Sequence, residues 1–368
     1  MVKKTLTRRS FLHCATAWAL GAAISGCVPM VRQVSQPTVA WPTPAATTPI
    51  PRPTPTRKAL TSVPSETPIT VEPSPTVPAE TVATIEPSPS VSVAESTPSG
   101  AAYLAVARGS DPETITQRAI AAIGGIERFV KPGFEVIIKP NICNHYHSPE
   151  YASTTNPEVV ATLVRLCLGA GARRVRVMDL PFTGPAQTAY ARSGIEEAVK
   201  GAGGQMELMA RMRYERTEIP EGVDLKSWDF YQPILEADLV INVPIAKHHG
   251  LPGLTLGGKN LMGVILDRSQ MHRNLGQRIA DITSLVRPQL TVVDAVRILV
   301  DNGPTGGSLD DVKRADTVIA SHDIVAADAY ATTLFGLAPS DISYVVASAR
   351  MGLGTMDLDS IKIVELAV

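Results

Sequence analysis

The chain has 368 residues, 34 Lys and Arg against 35 Asp and Glu, and 44% hydrophobic residues. That length and apolar content support one or two domains with cores of their own, and a net charge of −1 supplies none of the broad basic footprint that nucleic acid requires. A nucleic-acid partner is therefore excluded, and the function has to be sought in individual residues.

In chain order, residues 1–27 read as an address rather than as structure. Thr7-Arg8-Arg9-Ser10-Phe11-Leu12 carries a twin arginine, and the apolar run over 14–24 is short for a membrane span. The run closes on Ile24-Ser25-Gly26-Cys27, which resembles the lipobox of bacterial lipoproteins, whose cysteine becomes the acylated first residue. The expectation is twin-arginine export, lipidation at Cys27 and an extracytoplasmic location at the cell membrane. An ordinary signal cleaved by another peptidase, with Cys27 incidental, is the competing reading. The twin-arginine motif implies export in the folded state, a route often taken by proteins that carry a cofactor or metal.

Residues 28–100 are rich in Pro, Thr and Ser and almost free of aromatics, so they bury too little apolar surface to offset ordering entropy. A disordered tether is expected, with a reach on the order of 200 Å if extended. Its Ser and Thr content also suits O-glycosylation.

From residue 101 onward short apolar runs alternate with helical periodicity. This pattern predicts a single α/β domain over 101–368 with a mostly parallel sheet flanked by helices. Strands are expected at 103–107, 135–138, 174–178, 239–243, 290–293, 317–320 and 361–364. Helices are expected at 112–129, 157–168, 186–202, 275–286, 324–335 and 340–350, with Asn156-Pro157 as a cap and first-turn proline.

Four of these strands end in chemistry. Lys139-Pro140-Asn141 follows the second, Asp179 the third, Lys247-His248-His249 the fourth and Asp294 the fifth, while Asn242 lies within the fourth. Ligands of open parallel sheets bind outside the carboxyl ends of the strands, so one shared crevice is expected. Taken singly, each Asp or Asn is also an ordinary turn or cap residue.

The stretch "NVPIAKHHGLPGLTLGGKNLMG" carries most of the candidates. On an extended backbone His248 and His249 point opposite ways, so at most one of them faces a ligand directly. His272 follows in a later loop, which makes His248, His249 and His272 the candidate ligands of a divalent transition metal. Cys143, His145 and His147 are a second possible donor set, without a recognised zinc spacing. Lys259 and Asn260, after paired glycines, suit an anion at a helix start, and Lys139 and Lys247 add positive charge. Lys259, Asp294 and His248 are the candidate catalytic residues; Lys139, Asn141, Asp179, Asn242, Lys247 and Asn260 are the candidate ligand contacts. Asp281, Asp301, Asn302 and Asp328 are further candidates to ligate a cation or act as a general base, with capping and turn roles competing for each. Outside residues 1–27 only Cys143 and Cys167 remain, too few for a cysteine-ligated iron–sulfur cluster in this chain, and two cysteines leave a disulfide open.

Four segments, "VIIKPNIC", "ADLVINVPIAKHHGLPGLTLGGKNLMGVI", "LTVVDAVRILVDNGPTGG" and "VIASHDIVAADAYATTLFG", together resemble the domain-of-unknown-function 362 family across 101–368. Some members carry a ferredoxin-type module, and this chain lacks the Cys-x2-Cys-x2-Cys run that such a module needs. A second similarity is to the nickel-pincer lactate racemases. It implies His248 or His249 near the metal, Lys259 as a cofactor tether and His272 as a ligand, although Asn260 and Met262 depart from that pattern. Three readings stand side by side: an enzyme using a metal or cofactor on a small anionic substrate, a non-catalytic anion- or metal-binding protein, and a tethered surface module with a protein partner unknown.

Overall fold

Local chemistry starts the helices where the sequence predicts. Asp111 and Asn156 each accept a backbone N–H from the following turn, and Pro112 and Pro157 occupy first-turn positions whose N–H needs no partner. Glycines stop them. The helix expected over 112–129 ends early because Gly124 and Gly125 adopt φ of +101° and +78°, and the one expected over 186–202 is cut in two by Gly194 at φ +71°.

The computed structural model describes residues 101–368; the export signal, Cys27 and the tether fall on residues 1–100, outside the described residues. The first half of the domain comprises β1 (Leu104–Arg108), α1 (Pro112–Ala122), β2 (Glu135–Pro140), α2 (Pro157–Gly169), β3 (Arg174–Val177), α3 (Ala186–Arg192), α4 (Ile195–Gly201) and β4 (Gln205–Met206). A separate hairpin of β5 (Tyr214–Glu218) and β6 (Ser227–Tyr231) leads into α5 (Gln232–Glu236), β7 (Leu239–Val243), β8 (Ile245–His249) and β9 (Gly253–Thr255). The chain ends through α6 (Gly257–Asn260), α7 (Leu275–Val286), β10 (Leu290–Leu299), β11 (Val312–Ser321), α8 (Ile324–Thr333), α9 (Ser343–Arg350) and β12 (Ile363–Ala367).

The main sheet runs β12-β1-β11-β10-β7-β2-β3-β4, with β8 and β9 extending beside β10. Within that path β11 alone runs antiparallel to its neighbours, so the sheet is mostly parallel as expected. Alternate residues of each strand face two core layers: Ile137, Val240 and Val293 join one, and Val136, Ile138 and Ile241 join the other. Helices α1 to α4 pack on the second face and α5 to α9 on the first, which explains why β7 is buried at every residue.

This topology has one switch point. From β2 the order proceeds outward through β3 to β4, whereas from β7 it proceeds the other way to β10. The two directions use crossover helices on opposite faces, which keeps the connections of one hand. The crevice that opens between β2 and β7 is therefore the place where such a sheet binds its ligand. Lys139 and Asn242 are register partners across it.

Candidate functional site

A cavity of about 300 Å³ opens at this switch point. Lys139 and Asn141 reach it from the end of β2, Asp179 from the end of β3, Lys247 and His249 from β8, and Lys259 and Asn260 from α6. Arg268 and His272 come from the 3-10 segment Arg268–Asn274. Of the strand-end residues expected to share one crevice, Lys139, Asn141, Asp179, Lys247 and His249 line this cavity, where Lys259, Asn260 and His272 join them.

The polar residues of its floor form a closed network. Lys139 Nζ stands 2.7 Å from Asp179 Oδ1 and donates to Asn260 Oδ1 and to the Pro140 carbonyl, both at 2.9 Å. Asp179 Oδ2 accepts the Ile142 N–H at 2.7 Å. Asn260 also receives Asn141 Nδ2 at 3.0 Å, and its own amide donates to Asn242 Oδ1 at 2.9 Å. Asn242 Nδ2 in turn donates to the Gly257 carbonyl at 3.0 Å, so Asn242 holds the glycine segment from behind rather than lining the cavity. Lys247 Nζ spends all three of its protons on Asn141 Oδ1, Ser153 O and Pro304 O, at 2.9, 2.6 and 2.9 Å. Burial pushes the Lys139 ammonium down to about 8 in spite of Asp179, lowers Lys247, and raises the Asp179 carboxyl against the pull of Lys139.

Lys259 differs. Its Nζ has no hydrogen-bond or ion-pair partner among the described residues, and burial followed by repulsion from Lys247 and Arg268 brings it down to about 8. Arg268 donates to the carbonyls of Leu180 and Pro181 at 2.7 and 3.3 Å, and burial lowers it as well. Four cations line the cavity against a single carboxylate, Asp179. Thr255 Oγ1, directly across the hairpin from Lys247, is a buried hydroxyl without a partner that lines the same space.

Several candidates are placed elsewhere. Extended backbone in β8 turns His249 into the cavity and His248 away from it, where His248 Nδ1 accepts the Gly303 N–H at 3.1 Å. Burial and the neighbouring lysines hold the His249 ring down at about 3, a neutral imidazole. Histidines 248, 249 and 272 therefore do not form the expected metal set. Among the described residues no three His, Cys, Asp or Glu side chains gather in a way that could hold a metal, which also dissolves the grouping of Cys143, His145 and His147. Asp294 is not a cavity residue: its carboxylate accepts the N–H groups of Asn156 and Val296 at 2.7 and 3.0 Å, tying the start of α2 to β10, and burial pushes it up to about 6. Cys143 and Cys167 are separate free thiols, the former lining the cavity.

The helix-start anion site is also occupied from within. Both carboxylate oxygens of Asp328, on α8, take the N–H groups of Gly257 and Gly258 at 2.6 and 2.8 Å. A carboxyl group does sit at the N-terminus of α6, but it is the protein's own, and burial pushes it up to about 7 against the pull of those two N–H groups. The second helix-face carboxylate, Asp281, has a similar duty, accepting the N–H groups of Val223, Asp224 and Leu225.

Arg268 and Thr255 are the site residues that sequence reasoning missed, and for Asp328 it offered a capping role without naming the glycines that Asp328 caps. Arg268 had a usable signal, standing four residues before His272 where a helical turn puts both on one face. Thr255 had none.

With the geometry in hand, comparison with known proteins places the chain. The family profile described as Domain of unknown function (DUF362) matches residues 136–333, more than half of the chain. The chain belongs to the DUF362 family. Its matched span runs from β2 to α8 and so includes every cavity residue named above. A thylakoid-associated protein of Synechocystis is 27% identical over 246 residues, covering 63% of this chain and 72% of that relative. Among solved structures, the lactate racemase apoprotein of Thermoanaerobacterium thermosaccharolyticum overlays with a TM-score of 0.40 at 12% identity. The overlay covers 64% of this chain and 56% of the racemase, and no site residue is transferred from it.

Proposed function

We propose that the cavity binds a small molecule bearing a carboxylate or phosphate, with Lys259 and Arg268 as its anion contacts, in a protein exported by the twin-arginine route and held at the membrane through Cys27. The observation that carries the reading is the unpartnered Lys259 ammonium in a space where cations outnumber carboxylates four to one. Like charges that repel across a shared cavity cost free energy until a counter-charge arrives. Lys139 and Lys247 already have their partners, so they shape the floor and raise its potential, while Lys259 is left for the ligand. The room available, about 300 Å³, suits a small molecule.

The test is a thermal-unfolding screen of the full chain with inorganic phosphate and with short mono- and dicarboxylates. Stabilisation by a subset of these anions, absent in Lys259→Met, supports the reading. Equal response of both proteins rejects it.

Chemistry on that anion is the second reading, favoured by the same side chain. An amine held near 8 is neutral in roughly a tenth of molecules at pH 7, which makes it available as a base or nucleophile. With a 2-oxo acid, attack by the Lys259 amine and loss of water would leave an imine that borohydride reduces to a stable secondary amine. Mass spectrometry finds that adduct on Lys259 if catalysis takes this course; its absence with every oxo acid that binds leaves binding alone.

A further inference from the structure

The mouth of the cavity is unlike its floor. Phe182 and Leu251 both line it, yet they remain 65% and 68% exposed. They come from separate loops, one after β3 and one at the tip of the β8–β9 hairpin, and each is held next to a cavity residue: Phe182 N–H donates to the Cys143 carbonyl at 2.9 Å and Leu251 N–H to His249 Nδ1 at 3.4 Å. Single exposed apolar side chains are ordinary, but two at the entrance of one cationic cavity make an apolar collar around a charged interior. Met262, itself buried, is a further apolar side chain that lines the cavity.

Size sharpens the point. A space of about 300 Å³ lies at the small end of small-molecule pockets, with room for an acidic head group and a short chain. Anything longer has to leave through the mouth, across Phe182 and Leu251.

We infer that the ligand is an amphiphilic anion, its carboxylate or phosphate beside Lys259 and Arg268 and its hydrocarbon chain leaving between Phe182 and Leu251. This rests on the anion-binding reading and narrows it to a class. The head-group chemistry is shared by membrane lipids with an acidic head and by free fatty acids or alkyl phosphates.

Titration calorimetry of the full chain against n-alkyl carboxylates and n-alkyl phosphates of increasing length, below their micelle concentrations, tests it. Affinity is expected to rise with each methylene, by roughly fourfold at most for full burial, until the chain outgrows the collar. In the Phe182→Ser/Leu251→Ser double variant that slope flattens. Equal affinity at every length, or an unchanged slope in the double variant, overturns the inference while leaving anion binding intact. No binding at any length, short anions included, defeats the anion reading itself. A competition arm uses the full chain carrying Cys27→Ser, so that no acyl anchor contributes. If phosphatidate vesicles displace a bound alkyl phosphate and phosphatidylcholine vesicles do not, the source is a membrane lipid. If neither displaces it, the ligand is a free amphiphile, and either result supports the proposed class.

Discussion

Lys139 and Asp179 form an ion pair at 2.7 Å with both side chains cut off from solvent, and the backbone of Gly263 lies flat against it. The pair joins β2 to the end of β3 and supports Asn260. Removing one partner leaves the other charged, or neutralised by losing (Lys139) or gaining (Asp179) a proton, in a buried site. Asp179→Asn is expected to cost about 3–5 kcal/mol in denaturant unfolding, and Lys139→Met/Asp179→Leu to recover much of that loss.

Gly263 is needed for the same pair. A Cβ there would sit 2.0 Å from Asp179 Oδ1 and 2.6 Å from Lys139 Nζ. Gly263→Ala is expected to destabilise by roughly 1–3 kcal/mol. Introducing it into Lys139→Met/Asp179→Leu measures whether that cost belongs to the pair.

Asp328 caps α6 from 71 residues further along the chain. Asp328→Ala leaves two buried N–H groups without acceptors and is expected to cost about 2–4 kcal/mol. Asp328→Asn keeps one acceptor oxygen and should lose about half as much. Because Lys259 stands on α6, both variants should also weaken anion binding, with Asn the milder; Gly257 and Gly258 amide exchange checks the cap directly.

pH provides a signed prediction. Lys259 falls from an ordinary 10.5 to about 8 in the folded chain. Between about 8 and 10.5 the unfolded chain therefore binds more protons than the folded one, so the ligand-free protein should become more stable as pH rises through that window. Lys139 acts in the same direction. Burial raises the Cys167 thiol from 9.0 to about 12 and Tyr103 and Tyr231 from 10.0 to about 12, which opposes the trend from about pH 9 upward, so the rise should be read between about pH 8 and 9. Anion binding has the opposite sign: affinity is full below about 8 and falls as the Lys259 ammonium is lost. A saturating anion should flatten the stability rise, and unfolding curves at four pH values with and without phosphate would show it.

His248 and His249 should separate cleanly. His249→Ala removes a neutral ring from the cavity wall and is expected to change anion affinity severalfold. His248→Ala releases the Gly303 N–H and should cost about 1 kcal/mol of stability. Equal effects on binding would contradict the alternation along β8.

Much of this arrangement is legible in the sequence. Buried parallel strands such as Leu239–Val243 are continuous apolar runs, and the polar residues that close them stand out, which is why Lys139, Asn141, Asp179 and Lys247 were found. The helix Leu275–Val286 coincides with its prediction because its apolar residues repeat every third or fourth position. The β8–β9 hairpin was not legible, since Lys247, His248 and His249 carry no apolar alternation and their strand forms by pairing with β10 and β9. Nor was the duty of Asp294 or Asp328. A buried carboxylate that caps a distant backbone and one that faces a ligand share the same letter, and only the fold distinguishes them.

The most direct measurement is calorimetric titration of the full chain at pH 7 with the anion that stabilises it most, in wild type and Lys259→Met. The account predicts a single site that weakens tenfold or more in the variant, a charge-assisted contact being worth about 1.5–3 kcal/mol. Equal affinity in the two proteins would contradict it, because the unpartnered cation that defines the site would then be idle.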